Sequence, residues 1–187
     1  MKLIVGLGNP GNEYAATYHN VGFIALDEFM LGSRKEKNYV YLKTADALFI
    51  KPQTFMNLSG QAVIAAMNKY KVAAEDVIIV CDDVYIKKGC IRISVGGSSG
   101  GHNGLKNIAE LLGAGKADKI TKIRIGIAKT DADNLKLNET LADYVLSRID
   151  AENTALLEPA ITAARLAIKK LVAGETISNV QSEFNKR

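Results

Sequence analysis

The sequence predicts a single α/β domain spanning residues 1–187, built on a mixed, mostly parallel twisted sheet with helices on both faces and a helical C-terminal region. Three observations predict it. Short apolar, β-branched runs at 3–7, 77–81 and 123–127 read as strands buried on both faces. Stretches with apolar residues at helical spacing lie between and after them. The length of 187 residues suits one domain with a substantial core and does not comfortably suit two.

The elements follow in order. The strand at 3–7 is broken by Gly6 and Gly8. Asn20 then stands as the cap of a helix over 21–30, with Val21, Ile24, Ala25 and Leu26 on one side. Residues 39–45 and 47–50 flank a short polar turn and read as a hairpin. Residues 57–70 are helical, with Val63, Ile64 and Met67 at helical spacing. The run 77–81 is the best candidate for the sheet centre. Another strand covers 91–95, followed by a glycine-dense loop at 96–104 and a helix at 105–112. After the final strand at 123–127, residues 129–138 are polar and read as loop. Helices then occupy 141–146 and 151–172, with Pro159 as a kink or an early-turn residue. In the longer helix Ile161, Ala164, Ile168 and Leu171 form one apolar stripe.

Composition narrows the function classes. Hydrophobic residues make up 48% and charged residues 24%, ordinary values for a globular protein. The apolar start is too short for a signal peptide, and no run reaches membrane-spanning length. A cytoplasmic protein without a membrane partner is expected. Cys81 and Cys90 suit a reducing compartment rather than a disulfide framework. With only His19 and His102, a cysteine- and histidine-rich zinc site is nearly excluded. The net charge of +4 permits a polyanionic partner; on charge alone, a solvated lysine-rich surface explains it better.

Three motifs point elsewhere and fail on context. Gly6-x-Gly8-x-x-Gly11 matches the dinucleotide fingerprint, but Pro10 sits inside it. The following residues 12–19 are polar and aromatic without helical periodicity, where a helix N-terminus is required. Gly96-x-Ser98-x-Gly100 matches a nucleophile elbow, yet the only later histidine, His102, is too close to arrive as a separate triad member. A glycine-serine loop is the better reading. Asp82-Asp83 could hold Mg²⁺, but no second acidic cluster accompanies it. Hydrogen bonding to a histidine suits it better.

In open α/β sheets, sites form beyond the carboxyl ends of strands. There the sequence delivers Asn9, Tyr14 and His19-Asn20, then the segment 51–57, then Asp82-Asp83, then Gly101-His102-Asn103-Gly104. Neutral imidazole, with an ordinary pKa of about 6.5, accepts a proton from water near pH 7. A carboxylate on its other nitrogen fixes the tautomer and stabilises the cation that forms. Asparagine amides can donate to a developing oxyanion. The simpler reading is structural: Asn20 and Asn57 cap helices, and His19 is a satisfied core histidine. Convergence from four strand ends favours a site.

The strings at 6–11 with Tyr14 and His19-Asn20, Lys-Pro-x-Thr-Phe-Met-Asn-x-Ser-Gly at 51–60, Asp82-Asp83, and Gly-Ser-x-Gly-Gly-His-Asn-Gly at 97–104 resemble bacterial peptidyl-tRNA hydrolases in order and spacing. Lys122-x-Arg124-x-Gly126-Ile127 and residues 143–147 extend the resemblance over nearly the whole chain. It implies hydrolysis of the ester between a peptide and the terminal ribose of tRNA, without a metal and as a monomer with no obligate protein partner. The implied general base is His19, supported by Asp82. Asn9 is implied to contact the peptide and help reject substrates with a free amino group. Tyr14, Phe55, Met56, Asn57 and Asn103 are implied to line the substrate site.

The chain departs from the family pattern at Val84-Tyr85, at Lys87-Lys88-Gly89, at Ala128-Lys129-Thr130, and at Ser94, where a cation is usual. The basic residues expected at the acceptor stem and 3′ end are therefore Arg92, on the same strand face as Ser94, with Lys106 and Arg124. Lys87 and Lys88 are further candidates. Three rival readings remain at this level: an RNA-binding protein without catalysis, a serine esterase using Ser98, and a dinucleotide enzyme.

Overall fold

The computed structural model describes residues 1–129 and 140–185. Most of the polar stretch read as loop at 129–138 lies outside the described residues. The strands are β1 (Lys2–Gly6), β2 (Arg34–Lys35), β3 (Tyr39–Lys43), β4 (Ala47–Pro52), β5 (Val77–Asp83), β6 (Ile91–Val95) and β7 (Thr121–Gly126). The helices among these residues are α1 (Val21–Leu26), α2 (Ser59–Tyr70), α3 (Asn103–Leu112), α4 (Ala114–Ala117), α5 (Leu141–Leu146), α6 (Ala151–Val172) and α7 (Ile177–Phe184). The strands form one sheet in the order β2-β3-β4-β1-β5-β7-β6. β4, β1, β5 and β7 run parallel at its heart, while β3 and β6 run against their neighbours. This is the mixed, mostly parallel α/β fold that the apolar runs predict.

The central position belongs to β1, with β5 beside it, rather than to β5. Both are apolar on both faces because helices cover each side. On one face Ile4, Phe49, Ile78, Val80, Ile123 and Ile125 pack with the buried sides of α1 and α6. On the other, Leu3, Val5, Leu48, Ile50, Ile79 and Cys81 pack beneath α2 and α3. α1 lies directly on the strands: a Cβ on Gly22 would stand 2.4 Å from the Val80 carbonyl oxygen and 2.5 Å from that of Leu7.

Several boundaries differ from the sequence reading. The first helix ends at Leu26 and tightens into a 3₁₀ turn at Asp27–Phe29, so Met30 leaves the helix and buries in the core. Residues Met56–Leu58 are a 3₁₀ turn ahead of α2. Pro159 sits inside α6, and the C-terminal helical region ends in a separate helix, α7, started by a Thr176 cap. The two-residue strand β2 and the single-turn α4 are too short to carry a periodic signal. β6 is an edge strand, and its outward groups at Ile93 are covered: Asn185 accepts from Ile93 N (2.7 Å) and donates to Ile93 O (2.8 Å).

Because β1, β4 and β5 are parallel, their carboxyl ends open on one side. Residues 7–9, 53–57 and Asp82-Asp83 emerge there together.

Candidate active site

His19 lies in a 3₁₀ turn, Tyr18–Asn20, held from both sides. Tyr18 N donates to Ser147 O (3.3 Å), and Ile149 N donates to Ala16 O (2.8 Å). The Asn20 side chain does not cap α1, as its position suggests. It bonds the Asn9 backbone twice, accepting from N and donating to O, each at 2.9 Å. Asn20 therefore ties the loop after β1 to the His19 turn.

The β5 strand places Asp82 under both histidines. His19 Nδ1 donates to Asp82 Oδ1 at 2.8 Å, and His102 Nε2 donates to the same oxygen at 3.0 Å. The two rings stand 4.8 Å apart, centre to centre. The sequence brings His102 to the strand ends but assigns it no role. It is the N-cap of α3: its Nδ1 accepts from Gly104 N (3.1 Å) and Leu105 N (3.3 Å). Those two donors require a lone pair on Nδ1, so the His102 proton resides on Nε2 and points at Asp82. The signal was present in the Gly-Gly-His-Asn-Gly string just before a helix, but histidine is an uncommon cap beside Ser, Thr, Asp and Asn.

Burial, the largest single influence on Asp82, favours its protonated form. The positive edge of His102, with hydrogen bonds from His102 and His19, outweighs it and holds the carboxyl well below the usual carboxylate range. Asp82 therefore stays anionic and fixes His19 with its proton on Nδ1. His19 Nε2, the lone-pair nitrogen, has no protein partner among the described residues, and His19 lines a cavity of about 600 Å³.

The donors of His19, Asp82 and His102 lie within 4.8 Å of one another, close enough to invite a metal. Their chemistry does not fit one. A ligating histidine donates its other ring N–H to a second partner. His102 instead accepts on its other nitrogen, so a metal at Nε2 would force a proton onto Nδ1 against two backbone donors.

The amides frame the cavity. Asn9 Oδ1 accepts from Met56 N at 2.8 Å, which turns the Asn9 NH₂ group toward the open space. Asn57 and Asn103 line the same cavity, as do Phe55 and Met56. Tyr14 is not part of its lining and meets the site through an edge-on contact with Phe55, centroids 6.5 Å apart. The sequence reading missed further lining residues: Val84, Leu105 of α3, and Leu141, Ala142, Val145 and Leu146 of α5. The sequence predicts a helix over 141–146, but nothing in six residues says which cleft its face closes.

The cations behave differently from one another. Arg124 donates to Asp83 Oδ2 (3.2 Å) and to Ser98 O (2.8 Å). Lys122 is buried, and its Nζ donates to Gly97 O (2.6 Å) and Ser98 O (3.3 Å). Burial first, then the neighbouring Arg124 charge, lowers its pKa. Both residues thus pin the glycine loop beside the cavity. Arg92 is exposed on β6 and pairs in register with Arg124 on the same sheet face. Lys106 is exposed on α3, 4.0 Å from Glu110. Lys88 is buried and donates to Asn153 Oδ1 at 2.6 Å, while Lys87 is exposed.

The alternative nucleophiles fare poorly. Ser98 presents its carbonyl oxygen to two cations and does not line the cavity. Cys81 is fully buried, and that burial, with Asp82 beside it, pushes its thiol far above the range where a thiolate forms. No helix among the described residues is long and apolar enough to cross a membrane.

Residues 3–187 match the model of the peptidyl-tRNA hydrolase family. A peptidyl-tRNA hydrolase of Desulforamulus reducens is 39% identical, with 100% of this chain and 90% of that protein covered. One from Staphylococcus aureus is 38% identical, covering 99% and 98%. The crystal structure of peptidyl-tRNA hydrolase from Acinetobacter baumannii superposes with a TM-score of 0.82 at 30% identity, over 98% of this chain and 93% of that one. With a family match running almost end to end and relatives this similar over their whole length, the chain belongs to the peptidyl-tRNA hydrolase family.

Proposed function

We propose that this protein hydrolyses the ester joining a peptide to the terminal ribose of tRNA, with His19 activating the attacking water. One observation carries the reading: Asp82 holds His19 Nδ1–H at 2.8 Å, leaving Nε2 as a base inside a cavity framed by amides. Water bound at Nε2 gives up its proton as its oxygen attacks the ester carbonyl carbon. Asp82 stabilises the imidazolium, which lies in a poorly solvated site where that support is strong. The Asn9 NH₂ group, with Asn57 and Asn103, offers donors for the oxyanion and the peptide. Collapse of the tetrahedral intermediate expels the ribose oxygen, which takes the proton back from Nε2. No side chain becomes acylated, and no cofactor takes part.

In this reading the acceptor stem and 3′ end approach along the edge strand β6, where Arg92 is exposed. Arg92 and Arg124 face them there, with Lys106 further out. The protein acts as a monomer over one domain, residues 1–187, in the compartment where translation occurs. Asn9 discriminates the blocked amide from a free ammonium group.

The test is a side-by-side assay of one tRNA carrying an N-acetylated or a free aminoacyl group. The expected result is rapid release of the acetylated residue and little release of the free one. Binding of the tRNA without cleavage of either would replace this reading with that of an RNA-binding protein.

A further inference from the structure

The loop between β6 and the His102 cap contains Gly96, Gly97, Gly100 and Gly101, all at positive φ. So glycine-rich a segment loses more conformational freedom than ordinary chain when held in one shape. Its shape matters to the site. Ser99, Gly100 and Gly101 line the cavity, and His102, the next residue, donates to Asp82. Backbone bonds tie the loop near its ends: Gly96 N donates to Ile120 O (2.9 Å) and His102 N to Ser99 O (3.0 Å).

Between those ties the loop is held by side chains of β7. Lys122 Nζ donates to Gly97 O (2.6 Å) and Ser98 O (3.3 Å), and Arg124 donates to Ser98 O (2.8 Å). The C=O and N–H of a trans peptide point in opposite directions, so holding two successive carbonyl groups fixes two peptide planes. Arg124 divides its donors between Ser98 and Asp83. Lys122 is 6% exposed and its donors go to the loop. Ser94, opposite Lys122 in the β6–β7 register, brings no charge to draw it away. Burial lowers the Lys122 pKa, as it does for an ammonium withdrawn from water. A cation placed to meet a phosphate stands in solvent, as Arg92 does on the neighbouring strand.

Resting on the proposed ester hydrolysis, we propose that Lys122 is a positioning residue for the chemical step, acting through the glycine loop, and takes no part in gripping tRNA. It fixes the segment that walls the cavity and leads His102 to Asp82. Its loss frees that wall while leaving the exposed cations as they are.

The test is Lys122→Met, which keeps the length of the side chain and removes the ammonium. Folded protein is assayed on one N-acetylated aminoacyl-tRNA at several salt concentrations. A fall in kcat of about tenfold is expected, because displaced groups lose rate. KM is expected to stay within about twofold of wild type, with an unchanged salt slope. A higher KM with kcat unchanged and a slope smaller by about one would make Lys122 a phosphate contact and overturn this role. Unchanged kcat and KM also overturn it. Should the variant not fold, backbone relaxation of the wild-type protein is the second measurement. Order parameters near 0.85 are expected over residues 97–101, and values below about 0.6 would show a loop that Lys122 does not hold. Failure of the wild-type protein to cleave the ester overturns both this role and the activity on which it rests.

Discussion

His19 and His102 meet one carboxylate oxygen but play unequal parts, because their second nitrogens face different surroundings. His19 Nε2 faces the cavity; His102 Nδ1 is committed to the first turn of α3. Asp82→Asn is expected to lower kcat by a smaller factor than loss of His19, since the amide keeps shape but gives up the charge that steadies the imidazolium. The same substitution has a pH signature. The folded-state pKa of Asp82 lies below its unfolded value, so its contribution to stability is present above about pH 4 and fades as the pH falls toward the folded value. Urea denaturation should show Asp82→Asn destabilising the protein at pH 7 and the gap from wild type narrowing below pH ~4. His102→Ala removes an acceptor for two backbone donors and one hydrogen bond to Asp82. It is expected to cost about 1–2 kcal/mol in the same assay. His19, Asp82 and the asparagines were legible in the sequence because polar residues at strand ends stand out against apolar runs. His102 was not, because its partner Asp82 is 20 residues away and its role depends on which ring nitrogen faces the helix.

At the scale of elements, the site is held by close packing and by pins on the loops. Gly22 lets α1 rest on the carbonyl groups of Leu7 and Val80, two residues from Asp82. Gly22→Ala has no flexible neighbour to displace and is expected to cost about 2–3 kcal/mol, measured by thermal or urea unfolding. Helix and strand types followed from periodicity almost throughout. Their ends did not, because the first helix stops at Leu26 to send Met30 into the core, and the second begins only after a 3₁₀ turn. Asn20 shows why a helix cap inferred from spacing is incomplete. It occupies the cap position, yet its amide pairs with the Asn9 backbone from a different segment. The α5 wall was invisible for a related reason: its register against the cleft is set by Tyr144 reaching Ile127.

For the whole molecule, the cavity opens at the carboxyl edge of the parallel strands, and Arg92 and Arg124 lie on one sheet face beyond its lining. Binding to phosphates should make KM rise steeply with salt, because added salt diminishes the gain from releasing counterions on binding. Arg92→Ala is expected to flatten that slope, raising KM at low salt while leaving kcat nearly unchanged. The fold class was readable from alternating buried strands and amphipathic helices. The shared direction of β1, β4 and β5, which gathers distant motifs at one edge, was inferred from topology and is the reason the site assembles. The central claim concerns a single atom, His19 Nε2. Its most direct test is the rate at which folded His19→Asn protein releases the acyl group from N-acetylated aminoacyl-tRNA under single-turnover conditions. Loss of the base predicts a fall of about 10²–10⁴-fold relative to wild type. A rate within a few-fold of wild type would contradict the account.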